Sequence, residues 1–209
     1  MLLKLYSDNP NRRDITRIAD ALADGQVVVI PTDTIYAFAC SINFKKSVER
    51  IAALKGFTVK QAKYSLLCSS LSMASEYIRP LSKDCYQMLR STLPGPYTYI
   101  LEASNGVPRH YTNADKTIGI RVPDNPICQA IIEAVGSPLI ATSVRYLDKD
   151  IDEEPEYITN PELIEESFGH KVDIVVDGGE GDIQPSTVVD LTGDDPTVLR
   201  YGKGDYFNE

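Results

Sequence analysis

Short runs of β-branched residues recur along the chain, and between them apolar residues fall at helical spacing. This alternation constrains the fold more than any other feature. The segments "QVVVI", "YSLLCS", "YTYILEA", "TIGIRVP", "PLIATS", "VDIVVDGG", "STVVDLT" and "TVLRYG" read as strands. Residues 11–24 place Ile15, Ile18, Ala19 and Leu22 on one helical face before Gly25, and residues 43–56 do the same with Val48, Ile51 and Ala52 before Gly56. Helices are also expected over 72–78, 82–93 and 125–136, the last with Asn125 as cap, Pro126 in the first turn and Gly136 at the end. Seven or eight strands and five helices predict an α/β fold: an open twisted mixed sheet with helices packed on it, in a single domain spanning 1–209.

Several classes of function are disfavoured at once. The N-terminal stretch "MLLKLYSDNPNRRD" has no secretory core or cleavage site, and no apolar run nears the ~18 residues of a membrane span. A soluble, cytoplasmic protein without a membrane partner is expected. Four cysteines at wide spacing, Cys40, Cys68, Cys85 and Cys128, with only two histidines, predict reduced buried thiols and no metal site. His110 and Cys128 are not expected to act as a catalytic pair, because Cys128 falls in the apolar stripe of a helix. A net charge of −9 opposes coating of nucleic acid by the whole surface. The acidic residues nevertheless cluster over 148–166, which reads as a solvated, mobile surface segment, whereas the basic residues lie elsewhere.

Ligands of open α/β sheets bind where strands end. Thr32, Asp33, Thr34 and Tyr36 follow the first strand. Thr142, Ser143 and Arg145 follow "PLIA", Arg121 follows "TIGI", Ser186 and Thr187 open "STVVDLT", and Arg200 ends "TVLR". Recurring hydroxyls and guanidiniums suit an anion such as phosphate. Neither GxxxxGK[ST] nor a strand-linked GxGxxG occurs. Each residue also has a plainer reading: the hydroxyls as turn or cap formers, Arg121 as an edge-strand charge, Arg200 as a surface charge, Asp33 as a turn former.

Whole motifs in order carry a resemblance. "GQVVVIPTDTIYAFAC", "LPGPYTYIL", "KTIGIRVPDNPICQAIIEAVGSPLIATS", "DGG" and "STVVDLTGDDPTVLRYGKGD" resemble the YrdC-like family of threonylcarbamoyl-AMP synthases across nearly the entire chain. "DNPNRRD", "VPRHY" and "YGKGD" make the YciO branch the nearer likeness. The resemblance implies a large concave cleft in which ATP, with Mg²⁺, and L-threonine bind. It implies a nucleotidyltransferase reaction of ATP, L-threonine and bicarbonate giving threonylcarbamoyl-AMP and pyrophosphate, for modification of tRNA. Lys55, Thr32 and Ser143 would then serve the reacting groups. Thr34 and Tyr36 would face the ligands, Arg121 and Thr142 would line the cavity, and Ser186 and Arg200, with Lys55 and Ser143, would meet the phosphates. The chain departs from the synthase pattern at Phe57, where Lys-x-Arg is expected, at Arg145, where Ser-x-Asn is expected, and at Ala37, where Gly is usual. Lys60, Lys63 and Arg145 are the cations placed to compensate. The additional C-terminal domain of some synthases is not expected here. Two other readings stay open: a double-stranded RNA or tRNA-binding protein, and related chemistry on another nucleotide or carbamoyl species.

Overall fold

The computed structural model describes residues 1–59, 62–108, 111, 116–145 and 156–205. In chain order the elements are β1 (Leu2–Lys4), α1 (Arg12–Ala23), β2 (Val28–Ile30), β3 (Ala37–Ser41), α2 (Lys45–Leu54), β4 (Ser65–Leu67), α3 (Leu71–Ser75) and α4 (Lys83–Thr92). They continue with β5 (Tyr97–Glu102), β6 (Thr117–Arg121), α5 (Pro126–Val135), β7 (Leu139–Ser143), α6 (Pro161–Phe168), β8 (Ile174–Asp177), β9 (Thr187–Asp190) and β10 (Thr197–Arg200). All ten strands join one open mixed sheet in the order β1-β8-β2-β3-β7-β4-β6-β5-β9-β10.

Local chemistry starts and stops the helices. Asn11 accepts from the Arg13 amide and opens α1, Ser82 accepts from Cys85 N and opens α4, and Asn125 accepts from Cys128 N and opens α5. Gly136 closes α5 at φ 70, in the left-handed region a side chain would disfavour.

Three elements were not expected from the sequence. β1 is three residues long at the N-terminus, and β3, "AFACS", has neither β-branched residues nor polar alternation because all five of its residues are buried. α6 lies inside the acidic stretch expected to be a solvated segment. Asn160 caps it, Pro161 occupies its first turn, and Pro161, Ile164 and Phe168 are buried. Phe168 meets Phe38 edge to face at 5.1 Å, so the acidic residues of 161–168 are the wet side of a packed helix. Residues 146–155 of that stretch lie outside the described residues.

Two cores flank the sheet. One gathers Phe38, Leu66, Tyr99, Ile120 and Ile140 beneath α2, α3, α4 and α6. The other gathers Val28, Ile30, Ala39, Leu67 and Ala141 beneath Ile15, Ile18 and Leu22 of α1 and Ile127, Ile131 and Ile132 of α5. α1 and α5 do not span the whole sheet. Beyond them the same face carries on with no helix over it among the described residues, and the site lies there.

Candidate functional site

A hollow of about 370 Å³ opens where the cover of α1 and α5 ends; Ala37, Leu67 and Ala141 belong both to the core beneath these helices and to the hollow's lining. Its floor is a row of small residues. Ser65 stands opposite both Ala141 and Gly119, and Gly119 opposite Ile100, so their side chains share one face. A Cβ at Gly119 would stand 2.9 Å from Ser65 Oγ and 3.1 Å from Thr98 Cγ2, so a larger residue there would have to displace its neighbours.

Cations line the walls: Lys55, Lys63, Arg121, Arg145 and Arg200, with no carboxylate among the described lining residues. Lys55 follows the last residue of α2 and reaches the end of β7, where its Nζ donates to Thr142 Oγ1 (3.0 Å), Ser143 O (3.0 Å) and Ser143 Oγ (3.2 Å). Burial, then the Arg145 and Arg200 charges, push this ammonium down to about 7. Opposite it, Arg200 donates from Nε and Nη2 to Ser186 O (3.1 and 2.8 Å) and from Nη2 to Ser186 Oγ (3.2 Å). Ser186 Oγ in turn lies 2.8 Å from Thr98 Oγ1. Arg200 is exposed, but its guanidinium is tied to Ser186.

Arg121 is not an edge-strand charge, because β6 lies between β4 and β5. Its Nη2 donates to Asp33 Oδ1 (2.7 Å) and Thr34 Oγ1 (3.0 Å), and both partners of the ion pair are only 8% exposed. The contact is monodentate. Arg121 Nε and Asp33 Oδ2 remain buried without a partner among the described residues.

The stretch expected to present hydroxyls to the cleft divides. Ile35 and Ala37 line the hollow, whereas Thr32 and Thr34 border a separate, shallower groove with Asp182 and Lys203. Thr32 Oγ1 donates to Ile35 O (2.7 Å) and accepts from Thr34 N (3.1 Å), which makes it a turn former. Tyr36 is buried; its hydroxyl donates to Gly179 O (2.7 Å) and accepts from Gly178 N (3.1 Å), tying the "DGG" turn to β3, and burial pushes it up to about 12. Thr187 is also outside the lining. Fully buried in β9, it donates to Gly204 O and accepts from Gly202 N, holding the C-terminal stretch against the sheet. Of the other expected residues, Lys55, Arg121, Thr142, Ser143, Arg145, Ser186 and Arg200 converge on the hollow.

Two departures from the synthase pattern meet in space: the Arg145 guanidinium lies 5.9 Å over the Phe57 ring. Lys63 also reaches the hollow, while Lys60 falls outside the described residues, as does His110. Cys128 is wholly buried, and burial pushes its thiol up to about 12. Thr98, Tyr157 and the small floor residues were missed in the sequence. Thr98, Gly119 and Ala141 sit within strands inside the quoted motifs, where residue type does not mark which side chains face the hollow, and Tyr157 is brought to the rim by its bridge with Arg145. Among the described residues no helix is long and apolar enough to cross a membrane, and no group of three or more His, Cys, Asp or Glu could hold a metal ion.

Known proteins match along almost the whole chain. The uncharacterized protein YciO of Escherichia coli K12 is 36% identical over 202 residues, 96% of this chain and 95% of that protein. The crystal structure of E. coli YciO superposes with a TM-score of 0.90 at 35% identity, over 98% of this chain and 97% of that one. A threonylcarbamoyl-AMP synthase of Halorhodospira halophila is 27% identical over 84% of this chain and 88% of its own length. Pyrococcus abyssi Sua5 complexed with L-threonine matches at TM-score 0.87 and 26% identity, over 97% of this chain and 57% of that one. The family model described as telomere recombination, Sua5/yciO/yrdC, matches residues 20–202, and the chain belongs to that family.

Proposed function

We propose that the hollow binds ATP and L-threonine and supports formation of threonylcarbamoyl-AMP from them and bicarbonate, with release of pyrophosphate. The carrying observation is the five cationic side chains with no carboxylate among the described lining residues, only one of them, Arg121, having an anionic partner among the described residues. Such a wall favours a polyanion, because each charge held out of water without a counter-ion raises the free energy of the empty state. An RNA backbone would need cations spread along a surface, whereas these converge in a hollow of small-molecule size.

In this reading Lys55, Ser143, Ser186 and Arg200 bind the phosphates, and the Arg121 guanidinium, which lines the hollow, receives the threonine carboxylate. Threonine's amine adds to carbon dioxide with loss of a proton, or condenses with bicarbonate with loss of water, to form a carbamate whose oxygen attacks the α-phosphorus while pyrophosphate leaves. The residues supply alignment and charge neutralisation, not a covalent step. Mg²⁺ would neutralise phosphate charge; with no carboxylate among the described lining residues, its ligands would come from the phosphates and water. The complex of P. abyssi Sua5 with L-threonine and the synthase relatives support this choice of substrates.

The test is incubation with ATP, Mg²⁺ and bicarbonate, following pyrophosphate with and without L-threonine. Threonine-dependent release is expected, abolished in Lys55→Ala. Release that ignores threonine would move the reading to other nucleotide chemistry. No release, together with tRNA binding that falls steeply with salt, would move it to RNA binding.

A further inference from the structure

The cations of the hollow are held in different ways. Arg121 is neutralised by Asp33, and Arg200 directs Nε and Nη2 at Ser186. Arg145 has no carboxylate partner among the described residues, and its Nε is buried and unpartnered. Its position is nonetheless set twice, by the Phe57 ring beneath the guanidinium and by the backbone bridge to Tyr157. A guanidinium resting against a ring has lost part of its rotamer freedom before any ligand arrives, and its donors are already fixed in one plane by its own bonding. The neighbouring unpaired cation is Lys55, held by Thr142 and Ser143, and the two repel. One anion long enough to touch both relieves both.

We propose that Phe57 and Arg145 form a specificity element: Arg145, set on Phe57, binds the far end of a polyphosphate whose nearer phosphate lies at Lys55 and Ser143, so the hollow selects triphosphates over monophosphates. For ATP this rests on the nucleotide reading above; for the polyphosphate chain itself it stands alone. Phe57, by this account, acts only through Arg145 and touches no ligand.

Calorimetric titration with ATP, AMP, inorganic tripolyphosphate and orthophosphate tests it, on the wild type and on Arg145→Ala, Arg145→Lys and Phe57→Leu. Arg145→Ala should weaken ATP and tripolyphosphate by about tenfold or more and leave AMP within about twofold. Arg145→Lys should fail to restore the loss, because an ammonium lacks the planar fork. Phe57→Leu keeps the cation without its platform and should cost about threefold, again only for the longer anions. An unchanged ATP-to-AMP ratio in Arg145→Ala overturns the inference alone. Tripolyphosphate bound through Arg145 while ATP is refused upholds it and sinks the nucleotide reading. A wild type that binds none of the four overturns both.

Discussion

Arg121 and Lys55 line the same hollow and are both largely withdrawn from water, yet the fold treats them oppositely. Arg121 carries its counter-ion with it, Asp33 at 2.7 Å, and the pair links the turn before β3 to β6 across the sheet. Lys55 is given only dipoles: two hydroxyls and a carbonyl. A buried charge with a partner strongly resists loss of that partner, whereas a buried charge without one shifts toward neutrality. The first arrangement suits a residue that must hold shape as well as meet a ligand. The second leaves an electrostatic deficit that a ligand fills.

The sharpest way to break this contrast is to remove each side's charge and measure stability. Asp33→Ala strands Arg121 in the interior and should cost about 3–5 kcal/mol in urea unfolding. Adding Arg121→Met should recover most of it, since the orphaned charge is then gone. A single-variant cost below about 1 kcal/mol would show that the pair is not an anchor.

Lys55 should answer through pH. Its folded value of about 7 lies below the ordinary 10.5, so between these values the unfolded chain holds a proton that the folded chain has released. Stability therefore rises with pH across that window, on the order of 2 kcal/mol from pH 7 to 9, and stays flat with respect to this group below pH 7. Lys55→Met should remove the slope; an equal slope in the variant would assign it to another group. Polyanion binding favours the charged form, so affinity for ATP should fall as pH rises above 7, by up to about tenfold per unit, and the variant should lose that dependence.

Much of this was legible in the sequence, and what was not has specific causes. The strands "VVI", "TIGIR", "LIATS" and "TVVD" were readable because β-branched runs bounded by turn residues have few alternative conformations. β3 was hidden because burial on both faces removes polar alternation. α6 was hidden because its solvent face is acidic, and only Asn160, Pro161, Ile164 and Phe168 betray the packed side. Within the site, guanidiniums and hydroxyls at strand ends pointed to the wall of the hollow. They could not distinguish Ser186, which faces it, from its neighbour Thr187, which points into the protein, since adjacent residues of a strand take opposite faces. Tyr36 shows the same limit: a hydroxyl in a polar motif turns out to tie a glycine turn.

The smallest expected effect belongs to ion pairs that share Asp33–Arg121's chemistry but not its burial. Arg79 and Glu102 meet at 3.1 Å, and their side chains are 64% and 52% exposed. Glu102 sits on β5, and its backbone carbonyl accepts from Arg79 N whatever its side chain does. Removing the carboxylate in Glu102→Ala leaves Arg79 hydrated instead of stranded, so thermal and urea unfolding should shift by no more than about 0.5 kcal/mol. Salt should screen even that, whereas the Asp33→Ala loss should persist at high ionic strength because the buried pair lies beyond the reach of mobile ions. If the two substitutions cost the same, burial is not what separates the charges of this protein, and the argument that Lys55 and Arg145 await an anion loses its physical basis.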